Sequence, residues 1–121
     1  MSALMILVAG PYRSGTDGDP ARIQANVDAM TATSLALWRR GHLPVMGEWF
    51  ALPLIERAVA EGSSASEVDA EIFHPIAEAV LARCDGVLRI GGASEGADRM
   101  VATARRLGKA VWHAIDEVTD R

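Results

Sequence analysis

The sequence predicts an α/β three-layer sandwich, with a central parallel sheet between layers of helices. Three observations predict it. Short, mostly apolar runs recur along the chain, and the first, Ala3 to Ala9, is continuously apolar, as in a strand covered on both faces. Between them lie longer stretches with helical spacing, which is the alternation that parallel sheets need for their crossovers. The first and third apolar runs each end in a glycine-rich turn just before a helix, where ligands bind in open sheets.

Residues Ala3 to Ala9 form the first strand, ended by Gly10-Pro11. A glycine-rich loop spans Gly10 to Gly18, and Asp19-Pro20 reads as N-cap and first helical position. The first helix runs to about Arg40. Its apolar stripe is Ile23, Val27, Met30, Leu37 and Trp38, with a weak point at Ser34. Arg39 and Arg40 suit the negative end of that helix, and Gly41 suits the position beyond it. His42 to Met46 is the second strand, near an edge because of Pro44. Gly47-Glu48-Trp49 reads as a loop, and a short helix comes next, from Phe50 to Ala60. Ser66 is the expected cap of a third helix reaching Arg83, with a kink or break near His74 caused by Pro75. Gly86 to Ile90 is the third strand. After Gly91 to Gly96, a last helix from Ala97 to Leu107 turns Ala97, Met100, Val101 and Ala104 inward. Ala110 to Ala114 is the fourth strand, and the tail from Ile115 is loose or a short helix.

The 121 residues fit one domain, 1–121. A formal net charge of −4 lacks the basic footprint of a general nucleic-acid binder, though a small anion still fits a locally positive pocket. The apolar start is too short for a bilayer span and has no basic flank, so neither a membrane partner nor a secretory signal is expected. Cys84 is the only cysteine, which rules out an internal disulfide and suggests a reducing, cytoplasmic setting. His42, His74 and His113 are scattered without metal-ligand spacing, so no metal and no cofactor is expected. Each histidine reads as structural or solvated. Cys84, at a helix C-terminal end, is not proposed as a nucleophile.

The two glycine-rich turns should lie side by side at the carboxyl ends of the strands. In the first, Gly10 and Gly15 let the backbone approach a ligand, Arg13 offers a fork for a phosphate or carboxylate, and Ser14 and Thr16 offer hydroxyls. The alternative is a flexible connector with Arg13 solvated. Neither a Walker A ending nor the dinucleotide spacing is present. In the second turn, which opens a helix with its free amides, Ser94 serves as N-cap, anion contact or both, and Gly96 is a further ligand contact. For Glu48 and Trp49 the plainer reading is a surface carboxylate beside an indole packed in the core or against another subunit. The alternative is a carboxylate in a drier pocket, with its pKa raised toward acid/base use.

These residues resemble the nucleoside 2-deoxyribosyltransferase superfamily, and most closely its small bacterial DUF4406-type branch. The likeness covers ILVAGPYRSG, the helix with Asn26, RRGHLPVMGEW and CDGVLRIGGASEGADRMVATARRLGKAV. It implies a flavodoxin-like or Rossmann-like fold. The first loop also resembles that of the 2′-deoxynucleoside 5′-phosphate N-hydrolases. By that likeness Gly10, Tyr12, Arg13 and Gly15 are ligand contacts, and Ser94 touches the phosphate.

One departure matters. Ser94 and Gly96 match the family pattern, but Met100 stands where the nucleophilic Glu belongs. A thioether cannot form the glycosyl ester or carry the charge that an oxocarbenium-like transition state needs. Asp98 lies roughly 160° around the helix from Met100, so it is no substitute. Glu48, arriving from another strand end, is the better stand-in. The lysine decarboxylase-like phosphoribohydrolases also carry a Gly-Gly turn, but their pattern too needs a Glu absent here.

Two functions are expected. One is an enzyme acting at the N-glycosidic bond of a nucleotide or nucleoside. Arg13, Ser14 and Ser94 would hold the phosphate, Tyr12 and Trp49 would pack the base or sugar, and Glu48 would supply the carboxylate. The other is an inactive nucleotide-binding module. Three tryptophans in a small domain also suggest a homo-oligomer, a dimer or higher.

Overall fold

A computed structural model describes residues 3–119. Strands β1 (Met5–Ala9), β2 (Leu43–Val45), β3 (Gly86–Arg89) and β4 (Ala110–Trp112) form one sheet in the order β2-β1-β3-β4, and every pair is parallel. The chain first steps from β1 to β2 on one side, then returns past β1 to β3 and β4 on the other. This reversal puts a switch point between the carboxyl ends of β1 and β3, where an open sheet has its crevice.

Residue alternation along β1 feeds two cores. Ile6 and Val8 enter one with Met30 and Leu37 of helix α1 (Pro20–Arg39) and with Leu88. Leu7 and Ala9 enter the other, with Ala77 and Leu81 of α4 (His74–Ala82) and Met100, Val101 and Ala104 of α5 (Glu95–Arg106). Helices therefore flank the sheet, and β1 is apolar throughout because both its faces are covered.

Most element expectations hold to within a few residues. Asp19 caps α1 by accepting from the Ala21 N–H at 3.0 Å, with Pro20 beside it. The strand carrying Pro44 is an edge strand, and the four residues expected to face inward on α5 are all buried. In the α1 stripe, Met30, Ser34 and Leu37 are buried, and the Ser34 hydroxyl donates to the Met30 carbonyl at 2.8 Å. Trp38 is a correction, because it is exposed.

Three further corrections concern the middle of the chain. Gly47-Glu48-Trp49 is not a loop but the first turn of α2 (Gly47–Ala60). Ser64, not Ser66, caps the next helix: its hydroxyl accepts from the Glu67 N–H while the Glu67 carboxylate accepts from the Ser64 N–H. The helix expected to continue to Arg83 is three pieces, namely α3 (Ala65–Val68), a π-helical segment (Asp69–Phe73) and α4. The break falls where Pro75 predicts it. Pro75 has no N–H to give an α bond and sits in the first turn of α4.

His42 is fully buried. Its Nδ1 accepts from the Leu4 N–H at 3.0 Å, so the ring hydrogen sits on Nε2, which faces the Thr119 carbonyl. This makes it a structural tie across β1, β2 and the chain end, as expected.

Candidate functional site

A cavity of about 740 Å³ opens at the carboxyl ends of the strands, within the size range of small-molecule sites. The first loop contributes Gly10, Tyr12, Arg13 and Ser14. The start of α2 contributes Gly47 and Glu48, and the start of α5 contributes Ser94, Glu95 and Gly96. The two glycine-rich turns touch directly: a Cβ on Gly91, whose φ is +78°, would fall 2.7 Å from Pro11 Cδ. Only glycine allows this approach in that conformation.

The first loop is braced from within. The Thr16 hydroxyl is buried, donates to the Arg13 carbonyl at 2.6 Å and accepts from the Gly18 N–H. It is therefore turned into the loop and not toward a ligand. The Asn26 amide donates to the Tyr12 carbonyl at 2.9 Å, which ties the loop to α1. The Arg13 guanidinium lies 5.8 Å from the centre of the Tyr12 ring, close enough for a cation–π contact. Tyr12 in turn faces Phe73 of the π segment, with ring centres 6.3 Å apart and planes 17° from parallel.

Ser94 caps α5 by accepting from the Ala97 N–H at 3.1 Å. A hydroxyl that accepts still has its own hydrogen to give, and that hydrogen meets no acceptor among the described residues. Ser94 can thus cap the helix and touch an anion at once.

Glu48 reverses the plainer expectation. It is buried, at 9% exposure, while Trp49 is 48% exposed and does not line the cavity. Helical geometry explains the exchange. With Gly47 and Ala51 buried on the inner face of α2, Glu48 shares that face and Trp49 turns outward. Burial pushes the Glu48 carboxyl above the ordinary glutamate value, and its own backbone N–H opposes this only in part. An acid with that shift, facing a cavity, can hold a proton nearer neutral pH than a solvated one.

Met100 is also buried in the cavity wall, so no carboxylate occupies that position on α5. Gly15 lies outside the lining. Four polar residues of the wall were not among the sequence candidates: Asp69, which opens the π segment, His74 just beyond it, and Glu95 and Arg99 of α5, of which Arg99 pairs with Glu78 at 3.1 Å. Pro75 signalled the break but not its direction. A π turn carries an extra residue and rotates the helix beyond it.

Cys84 is buried, and its thiol is pushed up to about 11, chiefly by burial and only partly offset by Lys109. It should resist alkylation in the native protein at mildly alkaline pH and react fully once urea unfolds the chain. Rapid native labelling followed by mass spectrometry would contradict this.

Among the described residues no group of three His, Cys, Asp or Glu side chains gathers as a metal set, and no helix is long and apolar enough to cross a membrane. Compared with family models, curated proteins and solved structures, the chain matches none.

Proposed function

We propose that the cavity binds a nucleotide or nucleoside and that the protein acts at its N-glycosidic bond, as a member of the nucleoside 2-deoxyribosyltransferase-like group with a flavodoxin-like sheet. One observation carries the reading: Arg13, Ser14, Ser94 and the buried Glu48 line a single hollow at the switch point. In this reading the phosphate sits between the Arg13 fork and the free amides of α5. The base packs on the Tyr12 and Phe73 rings, with Phe73 taking the part first expected of Trp49. Glu48, whose hold on a proton burial strengthens, gives that proton to the departing base as the C–N bond breaks. Water then adds to the sugar carbon and gives up a proton that restores the Glu48 carboxyl, so the products are free base and sugar phosphate.

Met100 favours a second reading, in which the cavity holds the same ligand without chemistry. Thermal shift and product analysis separate the two. A deoxynucleoside monophosphate at ~100 times its Kd should add ~2.7 kcal/mol of stability under either reading. Release of free base, followed by chromatography, is expected only of the enzyme. A flat melting temperature with every nucleotide would end both readings.

Exposed Trp49, Phe50 and Leu54 on α2 support self-association, which sedimentation would test. The lone buried Cys84 is in keeping with a reducing, cytoplasmic setting.

A further inference from the structure

Arg89 ends β3, and its side chain is only 10% exposed. All three of its nitrogens are engaged, on three different segments. Nε donates to Asp98 Oδ1 on α5 at 3.1 Å, one terminal nitrogen donates to the Ile90 carbonyl, and the other donates to the Gly92 carbonyl at 2.7 Å. One rigid fork thus joins the strand end, the glycine turn and the first turns of the helix. A lysine, with one freely rotating ammonium, cannot hold three such points in a plane.

The backbone consequence comes from peptide geometry. No peptide bond in the described chain is cis, so each N–H points opposite to the carbonyl of its own peptide unit. With the Ile90 and Gly92 carbonyls drawn onto the guanidinium, the N–H groups of Gly91 and Ala93 face away from it. The amides of Gly91, Gly92, Ala93 and Ser94 have no protein acceptor among the described residues. The turn leads straight into Ser94, Glu95 and Gly96, which line the cavity. The Asp98 clasp further fixes how α5 is rotated over the sheet.

We infer that Arg89 is a positioning residue: it locks the Gly91–Ala93 turn, and through it the first-turn amides of α5, in the orientation that receives the anionic end of the ligand. This rests on the nucleotide reading above. Arg89 is not among the residues that line the cavity, so it acts on the ligand only through the turn and the start of α5.

The test uses the whole protein, Arg89→Lys, and Asp98→Asn as a milder second variant. Two measurements are made: ¹⁵N relaxation on the ligand-free proteins, and calorimetric titration with a deoxynucleoside monophosphate and with the matching nucleoside. In Arg89→Lys the amide order parameters of Gly91 to Ala93 should fall toward those of a flexible loop. Monophosphate affinity should drop about tenfold, as expected for lost charge-assisted bonds, while nucleoside affinity holds. Asp98→Asn should show the same pattern, weaker. A merely structural role would weaken both ligands alike, and that result, or unchanged order with unchanged discrimination, overturns the inference and leaves the nucleotide reading standing. Should the wild type bind neither ligand, the nucleotide reading falls. The relaxation data then decide alone whether Arg89 holds the turn.

Discussion

At neutral pH, Glu48→Gln is expected to lower base release by ~10²–10⁴-fold, the range for losing a positioned acid, and to raise the melting temperature. Both effects have one cause. Burial raises the Glu48 carboxyl above its unfolded value. Between those two values the folded protein holds a proton that the unfolded chain has released, so stability falls as pH rises through that window. The contribution is complete below the unfolded carboxylate range and lost above the raised folded value. Glutamine is neutral throughout and has nearly the same shape. The variant's advantage should therefore open with rising pH and close in acid. Melting curves at acidic and neutral pH, run beside the product assay, check this. An offset that does not change with pH would remove the buried-acid argument, and unaltered base release would remove Glu48 from the chemistry.

Gly86→Ala should be the most damaging single-methyl change in the sheet, costing about 3 kcal/mol. An added Cβ would lie 2.5 Å from the Ala110 carbonyl oxygen, 2.7 Å from Trp112 Cζ3 and 2.9 Å from Ala110 Cβ. The indole can move, but the neighbouring backbone cannot move without breaking register. Gly86 pairs with both Ile6 and Ala110, so relief on one side disturbs the other. Gly96→Ala is the control. Its nearest neighbour is His74 Cε1 at 4.0 Å, and alanine in a helix is worth ~0.5–1 kcal/mol over glycine. Urea midpoints at constant slope would show the contrast. Equal midpoints for Gly86→Ala and wild type would mean that Trp112 and β4 yield freely.

Much of this architecture is legible before folding because β1 and β3 are short apolar runs, each succeeded by a glycine turn and a helix. Parallel pairing and the meeting of the two turns come from that order, and the edge position of β2 comes from Pro44. The errors have local causes. Gly47 looks like a loop residue, yet packing against Ala77 draws it into a helix: a Cβ at Gly47 would lie 3.2 Å from Ala77 Cβ. Starting α2 there is what buries Glu48 and exposes Trp49. Ser64 and Ser66 both suit a cap, and only the reciprocal bond with Glu67 decides between them. Asp69 and His74 were hidden because no periodicity in the sequence marks where a helix takes on one residue too many.

That surplus residue gives the protein a way to change. Deleting any one position from 70–73 would restore ordinary winding and swing Asp69 about 100° around the axis relative to His74. The exchange would refit the wall of the cavity that Asp69, Phe73 and His74 line. A single-codon change at this point thus reshapes that wall without altering the sequence of either glycine-rich turn.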